Sequence, residues 1–178
     1  MCTLASILES GCDNSGIDEV YINSTDNLTL TALGTPFTDR TITAWTVTSP
    51  FVKIEFDGTL GNYTSTKAPD SKENVQAVTL SLRGKDPDAI NNLNELVNCC
   101  EKLVVVCRHA GEDTFRVFGL DIKKGATTVT DNILKPVKIG YSDGSGVVTD
   151  ANAVTEITFA SSLYKQTALF ASVTPPIV

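Results

Sequence analysis

A single histidine, His109, bounds the acid–base chemistry open to this chain. A Ser-His-Asp or Cys-His mechanism would have no other base to use. His109 stands two residues after Cys107, at the end of an apolar run and beside a turn, where a strand-end polar residue is the plainer reading. Cys99, Cys100, Cys107 and His109 raise the question of zinc. Structural zinc sites favour Cys pairs separated by two to four residues, and adjacent Cys99 and Cys100 would strain to reach one ion. Buried free thiols are the expectation instead. Asp143-Gly144-Ser145-Gly146 lacks the Lys-Ser/Thr and following helix of a phosphate loop and is too short for an EF-hand. A calcium site on Asp143 and Asp150 competes with a hairpin turn, which explains the same residues without an ion. Glu112 and Asp113 sit together in a turn with nothing to tie them to a cleft. No residue is therefore assigned to catalysis, to a cofactor or to a metal, and a non-enzymatic protein is expected.

Composition sets the outer limits. The 178 residues suit one domain with a real core, and 42% hydrophobic with 20% charged residues is ordinary for a folded protein. The net charge of −7 argues against a surface built to grip nucleic acid or anionic lipid, either of which wants clustered Lys and Arg. Basic and aromatic residues do not interleave as in a single-strand binder. No apolar run approaches the ~20 residues of a membrane-spanning helix. The first ten residues lack a basic region, and Glu9 interrupts their apolar stretch, so no secretory signal is expected and the chain should fold where it is made. Cys2, Cys12, Cys99, Cys100 and Cys107 are odd in number and without framework spacing, which points to free thiols. Without secretion, the glycosylation sequons at Asn23, Asn27 and Asn62 are chance products of a Thr- and Asn-rich chain.

The elements that would position these residues read mostly as strands. Alternation marks 19–22, 27–32 and 75–83; in the last, Val78, Leu80 and Leu82 share one face. Residues 41–47 have β-branched and aromatic content but a weaker period. Residues 51–56 predict Val52, Ile54 and Phe56 turned inward, with Asp57-Gly58 as a turn. Residues 58–74 hold Gly61, Pro69 and mixed charge, and predict a long polar loop or an extended hairpin, a class of segment that is often functional. Residues 86–102 predict the one helix. Asp86 is its N-cap, Pro87 its first residue, and Ile90, Leu93, Leu96, Val97 and Cys100 its apolar stripe.

Leu103 to Cys107 is an unbroken apolar run, expected as a central strand covered on both faces. Residues 110–113 predict a hairpin turn. Residues 114–122 predict its return strand, with Phe115 and Val117 on one face and Phe118, Leu120 and Ile122 on the other. Strands follow at 135–141 and 155–159, separated by the turn at Asp143-Gly144-Ser145-Gly146, and 172–178 predicts an extended tail. About eight to ten strands in direct succession, with one helix, predict antiparallel pairing. The expected fold is mostly β: a single-domain antiparallel β-sandwich or partly open barrel with one flanking helix.

Three segments carry a resemblance. Cys12 to Ile22, with its Gly16-Ile17 step and Val20-Tyr21-Ile22 strand, is similar to the opening of many small phage virion proteins. Leu103 to Val106, through Gly111 to Phe118-Gly119-Leu120, resembles their strand, turn and strand ending in a Gly-Leu step. Ser145-Gly146 through Asp150 to Ile157-Thr158-Phe159 resembles their last strand. Taken in this order, the chain resembles the tail-tube-like or tail-hub-like virion proteins of tailed bacteriophages, particularly phages of Bacteroidetes hosts, including the crAss-like group. It departs from them at Ile17-Asp18, where a second glycine is common, and at Glu112-Asp113, where Asn-Gly is common.

The resemblance implies a β-sandwich or barrel with one flanking helix. It implies assembly with copies of itself into a ring, commonly a hexamer, around a lumen that passes DNA without specific binding. It implies neighbouring virion proteins as partners and a place in the virion tail, assembled in the host bacterial cytoplasm. A long loop reaches the next subunit in such rings. Here residues 58–74 would supply it, with Leu60, Tyr63, Pro69 and Lys72 as interface candidates. An acidic chain suits a lumen that must not hold the phosphate backbone. The competing reading is a β-sandwich binding module for a glycan or protein at a bacterial surface, disfavoured by scarce aromatics and the single tryptophan, Trp45.

Overall fold

The structure, a computed structural model, describes residues 16–28, 41–56, 61–67, 69–70, 73–83, 103–122, 132–134, 137–144, 154–164 and 169–177. Its strands are β1 (Ile17–Ser24), β2 (Thr41–Ile42), β3 (Val52–Lys53), β4 (Gly61–Thr66), β5 (Glu73–Arg83), β6 (Leu103–His109), β7 (Phe115–Phe118), β8 (Leu120–Ile122), β9 (Asn132–Leu134), β10 (Lys138–Gly144), β11 (Val154–Tyr164) and β12 (Leu169–Ala171). They form a six-stranded sheet in the order β2-β12-β7-β6-β1-β3, a four-stranded sheet in the order β10-β11-β5-β4, and the pair β8-β9. The fold is mostly β, sandwich-like and not closed into a barrel. The helix expected over 86–102 lies outside the described residues, as do Cys2, Cys12, Cys99 and Cys100.

Strand β6 occupies the centre, paired antiparallel with β1 on one side and β7 on the other. Its alternation places Leu103, Val105 and Cys107 in the layer between the two sheets, where they meet Val78, Leu80, Ile157 and Phe159 of the four-stranded sheet. Val104 and Val106 point the opposite way, into a second core with Tyr21, Phe115, Val117 and Leu169. The unbroken apolar run is thus explained by two cores on two faces, as the sequence predicts.

Phe51 and Ile42 close this second core, with Leu28, Trp45 and Val47 packed against it. The C-terminal segment binds these residues together. Trp45 Nε1 donates to the Val173 carbonyl at 3.0 Å, Ser172 N donates to the Ile42 carbonyl at 3.0 Å, and Phe51 N donates to the Pro176 carbonyl at 2.8 Å. The segment expected as an extended tail is therefore bonded to the domain through residues 172–176.

Four expectations change. Phe51 is fully buried and Val52 is 56% exposed, although alternation favoured Val52 as the inward residue. β3 pairs over only two residues, so the anchorage of Phe51 to Trp45 and to the C-terminal segment decides which side chain turns in. Leu120 belongs to the core of Phe115 and Val117, not to the face of Phe118. Gly119, at φ +88°, breaks the alternation between them. Pairing is not antiparallel throughout, because β12 joins β2 in parallel. Asp143 and Gly144 continue β10, opposite Thr155 and Val154, rather than opening a turn. The residues that follow them, 145–153, lie outside the described set.

Residues 61–66 form strand β4, which pairs with β5 from Gly61–Leu80 to Thr66–Val75, the extended hairpin of the two expected alternatives. At its start a Cβ on Gly61 would come within 2.6 Å of the Phe56 ring, so this glycine lets β4 approach β1 and the 54–56 segment. A Cβ on Gly119 would collide with the Leu103 carbonyl and come within 2.6 Å of Val137. Gly119→Ala should therefore cost roughly 3 kcal/mol through combined clash and left-handed strain, measured by chemical denaturation. Gly140→Ala, with no atom within 4 Å of its Cβ, should stay within about 0.5 kcal/mol of the parent.

Candidate functional site

Apolar alternation along β5 and β11 is interrupted at one end by polar residues that keep the inward orientation. Gln76 follows the row of Leu80 and Val78, Ser161 follows Ile157 and Phe159, and the two are direct cross-strand neighbours. Both are buried, Gln76 to 0% exposure and Ser161 to 4%. Gln76 Nε2 donates to the Tyr63 hydroxyl at 3.0 Å, while Gln76 Oε1 and Ser161 Oγ meet no partner. The ring of Tyr63 packs edge-on to His109 at 5.1 Å, and the Arg116 guanidinium lies 5.4 Å from the same ring. Arg116 also covers Phe170 at 5.8 Å and makes a paired hydrogen bond to the Glu112 carboxylate from the preceding turn. That turn is built by Gly111 at φ +82° and by Glu112 N donating to the His109 carbonyl at 3.1 Å.

Strands β4, β5, β6, β7 and β11 thus bring Tyr63, Gln76, His109, Arg116 and Ser161 to one end of the layer between the sheets. Burial pushes the Tyr63 hydroxyl up and the Cys107 thiol up to about 12. Burial, reinforced by the charge of Arg116, pushes His109 below its ordinary value. The Arg116 hydrogen bonds hold Glu112 below the usual carboxylate range. At neutral pH the cluster holds a neutral imidazole, a protonated thiol and a tight Glu112–Arg116 pair. His109 Nε2 touches no donor or acceptor, so the imidazole makes no nucleophile–base hydrogen bond through this nitrogen. Among the described residues no group of three or more His, Cys, Asp or Glu side chains converges as a metal site would require.

A second charged cluster lies on the opposite face of the six-stranded sheet. A bulge between Ile17 and Glu19 inserts Asp18, which turns Ile17 into the inter-sheet core beside Val20. Asp18 and Glu19 both reach Arg108, at 3.0 and 3.3 Å, and Glu19 also meets Lys53 at 3.4 Å. Burial and the neighbouring Glu19 push the Tyr21 hydroxyl up to about 12. These half-exposed pairs fasten β1 to β3 and β6.

The outer face of the four-stranded sheet has a different character. Its alternation presents rows running across the strands: Asn62, Thr79, Thr158, Gly140; then Thr64, Ala77, Ala160, Lys138; then Ser81, Glu156, Ser142. The Thr79 and Thr158 hydroxyls are 3.3 Å apart. Among the described side chains of these rows only Lys138 and Glu156 are charged. The described side chains of this face are mostly small and uncharged, with Lys138, Glu156 and the 45% exposed Val75 as exceptions, and among the described residues β4 and β10 are its outermost strands.

Of the four interface candidates, Tyr63 points into the domain instead of outward, and Pro69 is exposed in the turn beyond β4. Leu60 and Lys72 lie outside the described residues. Alternation from Val78 could have placed Gln76 on the inner face from sequence. The meeting of Tyr63 with Arg116 and His109 had no such signal, because it joins strands of different sheets. No helix among the described residues is long and apolar enough to cross a membrane.

Two outcomes test this geometry. Ser161→Ala removes a buried hydroxyl that has no partner, and should be neutral or stabilising by up to about 1 kcal/mol in denaturant titration. Iodoacetamide at about pH 8 should leave Cys107 unmodified in the folded protein and label it after unfolding, read by peptide mass mapping. In comparisons with known protein families, with curated proteins and with solved structures, the chain matches none.

Proposed function

We propose that this protein is a non-enzymatic structural subunit that assembles with copies of itself into a ring, and that the ring belongs to the tail or tail hub of a tailed bacteriophage. The observation that carries the ring is the four-stranded sheet. Its order β10-β11-β5-β4 is antiparallel at every step, so the two edge strands run in opposite directions. When β4 of one copy meets β10 of the next by simple rotation, the new pair is again antiparallel. An even-stranded antiparallel sheet can therefore extend from copy to copy without changing its hydrogen-bond pattern, and a head-to-tail contact of this kind closes into a ring. Both edges are long enough to pair, at six residues for β4 and seven for β10.

The outer face of the same sheet supports the passage of DNA. In such a ring the Thr, Ser, Ala, Gly and Asn rows would form the wall of the lumen. Small side chains with little positive charge offer the phosphate backbone few counter-charges, and the net charge of −7 adds repulsion. The phage assignment rests on the three resembling segments, at 12–22, 103–120 and 145–159. Neighbouring virion proteins would be the further partners, and the host bacterial cytoplasm the place of assembly. A glycan-binding module has less to stand on, since Trp45 packs edge-on against Phe51 at 5.1 Å instead of forming an exposed platform.

Negative-stain imaging and native mass spectrometry of the purified chain should show rings or stacked rings. A species that stays monomeric at high concentration would overturn the proposal. Adjacent residues of an edge strand point their N–H groups to opposite sides. Of Thr64→Pro and Ser65→Pro, the variant whose lost N–H faced away from β5 should keep the fold by circular dichroism and lose the rings.

A further inference from the structure

We propose that His109 is an acid-sensitive latch that holds edge strand β4 against the six-stranded sheet, closed while its imidazole is neutral and loosened when it is protonated. The latch is one contact, the edge-on packing of the His109 ring on Tyr63, with 5.1 Å between centroids. It joins the end of β6 to the third residue of β4, across the gap between the sheets. It stands apart from the proposed ring, since it concerns how one subunit holds its own edge.

The surroundings of His109 disfavour a proton. Nε2 is buried without a partner, so a proton there would be an unsatisfied cationic donor. From β7, Arg116 already places a guanidinium on the Tyr63 ring, which occupies the ring quadrupole that would otherwise attract an imidazolium. From the β6–β7 turn, Glu112 is engaged by Arg116 through both carboxylate oxygens. From β1, Asp18 is engaged by Arg108 through both of its own. The remaining neighbours, Tyr63 on β4 and Cys107 on β6, are both held neutral. Burial and Arg116 accordingly lower the affinity of His109 for a proton. The least costly way to admit one is to move Tyr63 away and let water reach Nε2. Among the described residues β4 is hydrogen-bonded to β5 alone, so a shift of Tyr63 breaks no ladder bond to the six-stranded sheet.

The sign follows from linkage. With the folded value below the ordinary one, the closed state binds fewer protons than the open state across the interval between them. The contribution of the neutral imidazole to closure is fully present above about pH 6.5 and is lost as the pH falls toward the folded value. The open population rises by about tenfold for each pH unit that separates the two values.

His109 is the only histidine in the chain, so its imidazole resonances report one site without assignment ambiguity. In protein labelled at His and Tyr, these resonances should titrate below the ordinary value of about 6.5. The cross-relaxation between the His109 and Tyr63 rings should vanish over the same interval. Amide protection in β4 should fall there while protection in β6 holds. Arg116→Gln should move the titration and the β4 transition upward together. His109→Gln should leave β4 protection independent of pH through this range. The proposal is overturned if His109 titrates at or above the ordinary value, or if the ring contact and β4 protection survive its protonation. Should either variant fail to fold, the parent protein alone decides.

Discussion

Everything described here depends on β6 being buried on both faces. Five consecutive side chains, Leu103 to Cys107, are 2% exposed or less and divide between two cores. Each apolar side chain removed from water contributes about 2 kcal/mol before the entropy of ordering it is counted. A strand in this position cannot shift by one residue without exchanging the contents of both cores, and both are apolar. What resists the shift is shape. Gly119 fits under the Leu103 carbonyl, and the bulge at Asp18 sets which residues of β1 face which core.

The same strand explains why the polar residues gather where they do. The apolar layer between the sheets ends where Gln76, Ser161 and His109 replace the aliphatic rows, and there the burial of hydrogen-bonding groups begins to cost stability. Arg116 and Glu112 answer this partly, by capping the end of the layer with a tightly bonded ion pair over the Tyr63 ring. The cluster is arranged as a fastening between two sheets. Its titratable groups are neutral or paired, and it brings no activated nucleophile to a base. On the four-stranded sheet the described groups facing outward are mainly small hydroxyls and methyls, with Lys138, Glu156 and Val75 among them.

Much of the fold could be read along the chain, because strands are coded by alternation and β6 by its lack of it. The β6–β7 hairpin and the inward rows of β5 and β11 follow directly. The failures have local causes. Val52 has the right period but lies on a two-residue strand, where contact with the C-terminal segment, more than a hundred residues away, outweighs pairing. Asp143 and Gly144 have turn chemistry, yet pairing with β11 extends the strand through them. Tyr63 sits in a polar stretch that reads as a loop or an extended hairpin, and its burial comes from strands that the local sequence does not mention.

The amino-acid sequence by itself determined that the protein is built of strands, that one of them is buried on both faces, and that a single imidazole is available. Those properties are written in periods of two residues and in composition, and they need no knowledge of distant partners. Only the tertiary structure decided how the described strands divide into sheets of six and four, that Tyr63 turns inward onto His109 and Arg116, and that a hydroxyl-rich face lies between β4 and β10. These depend on contacts between residues far apart in the chain. Such contacts are selected by the packing of whole faces against each other, and no local pattern encodes them.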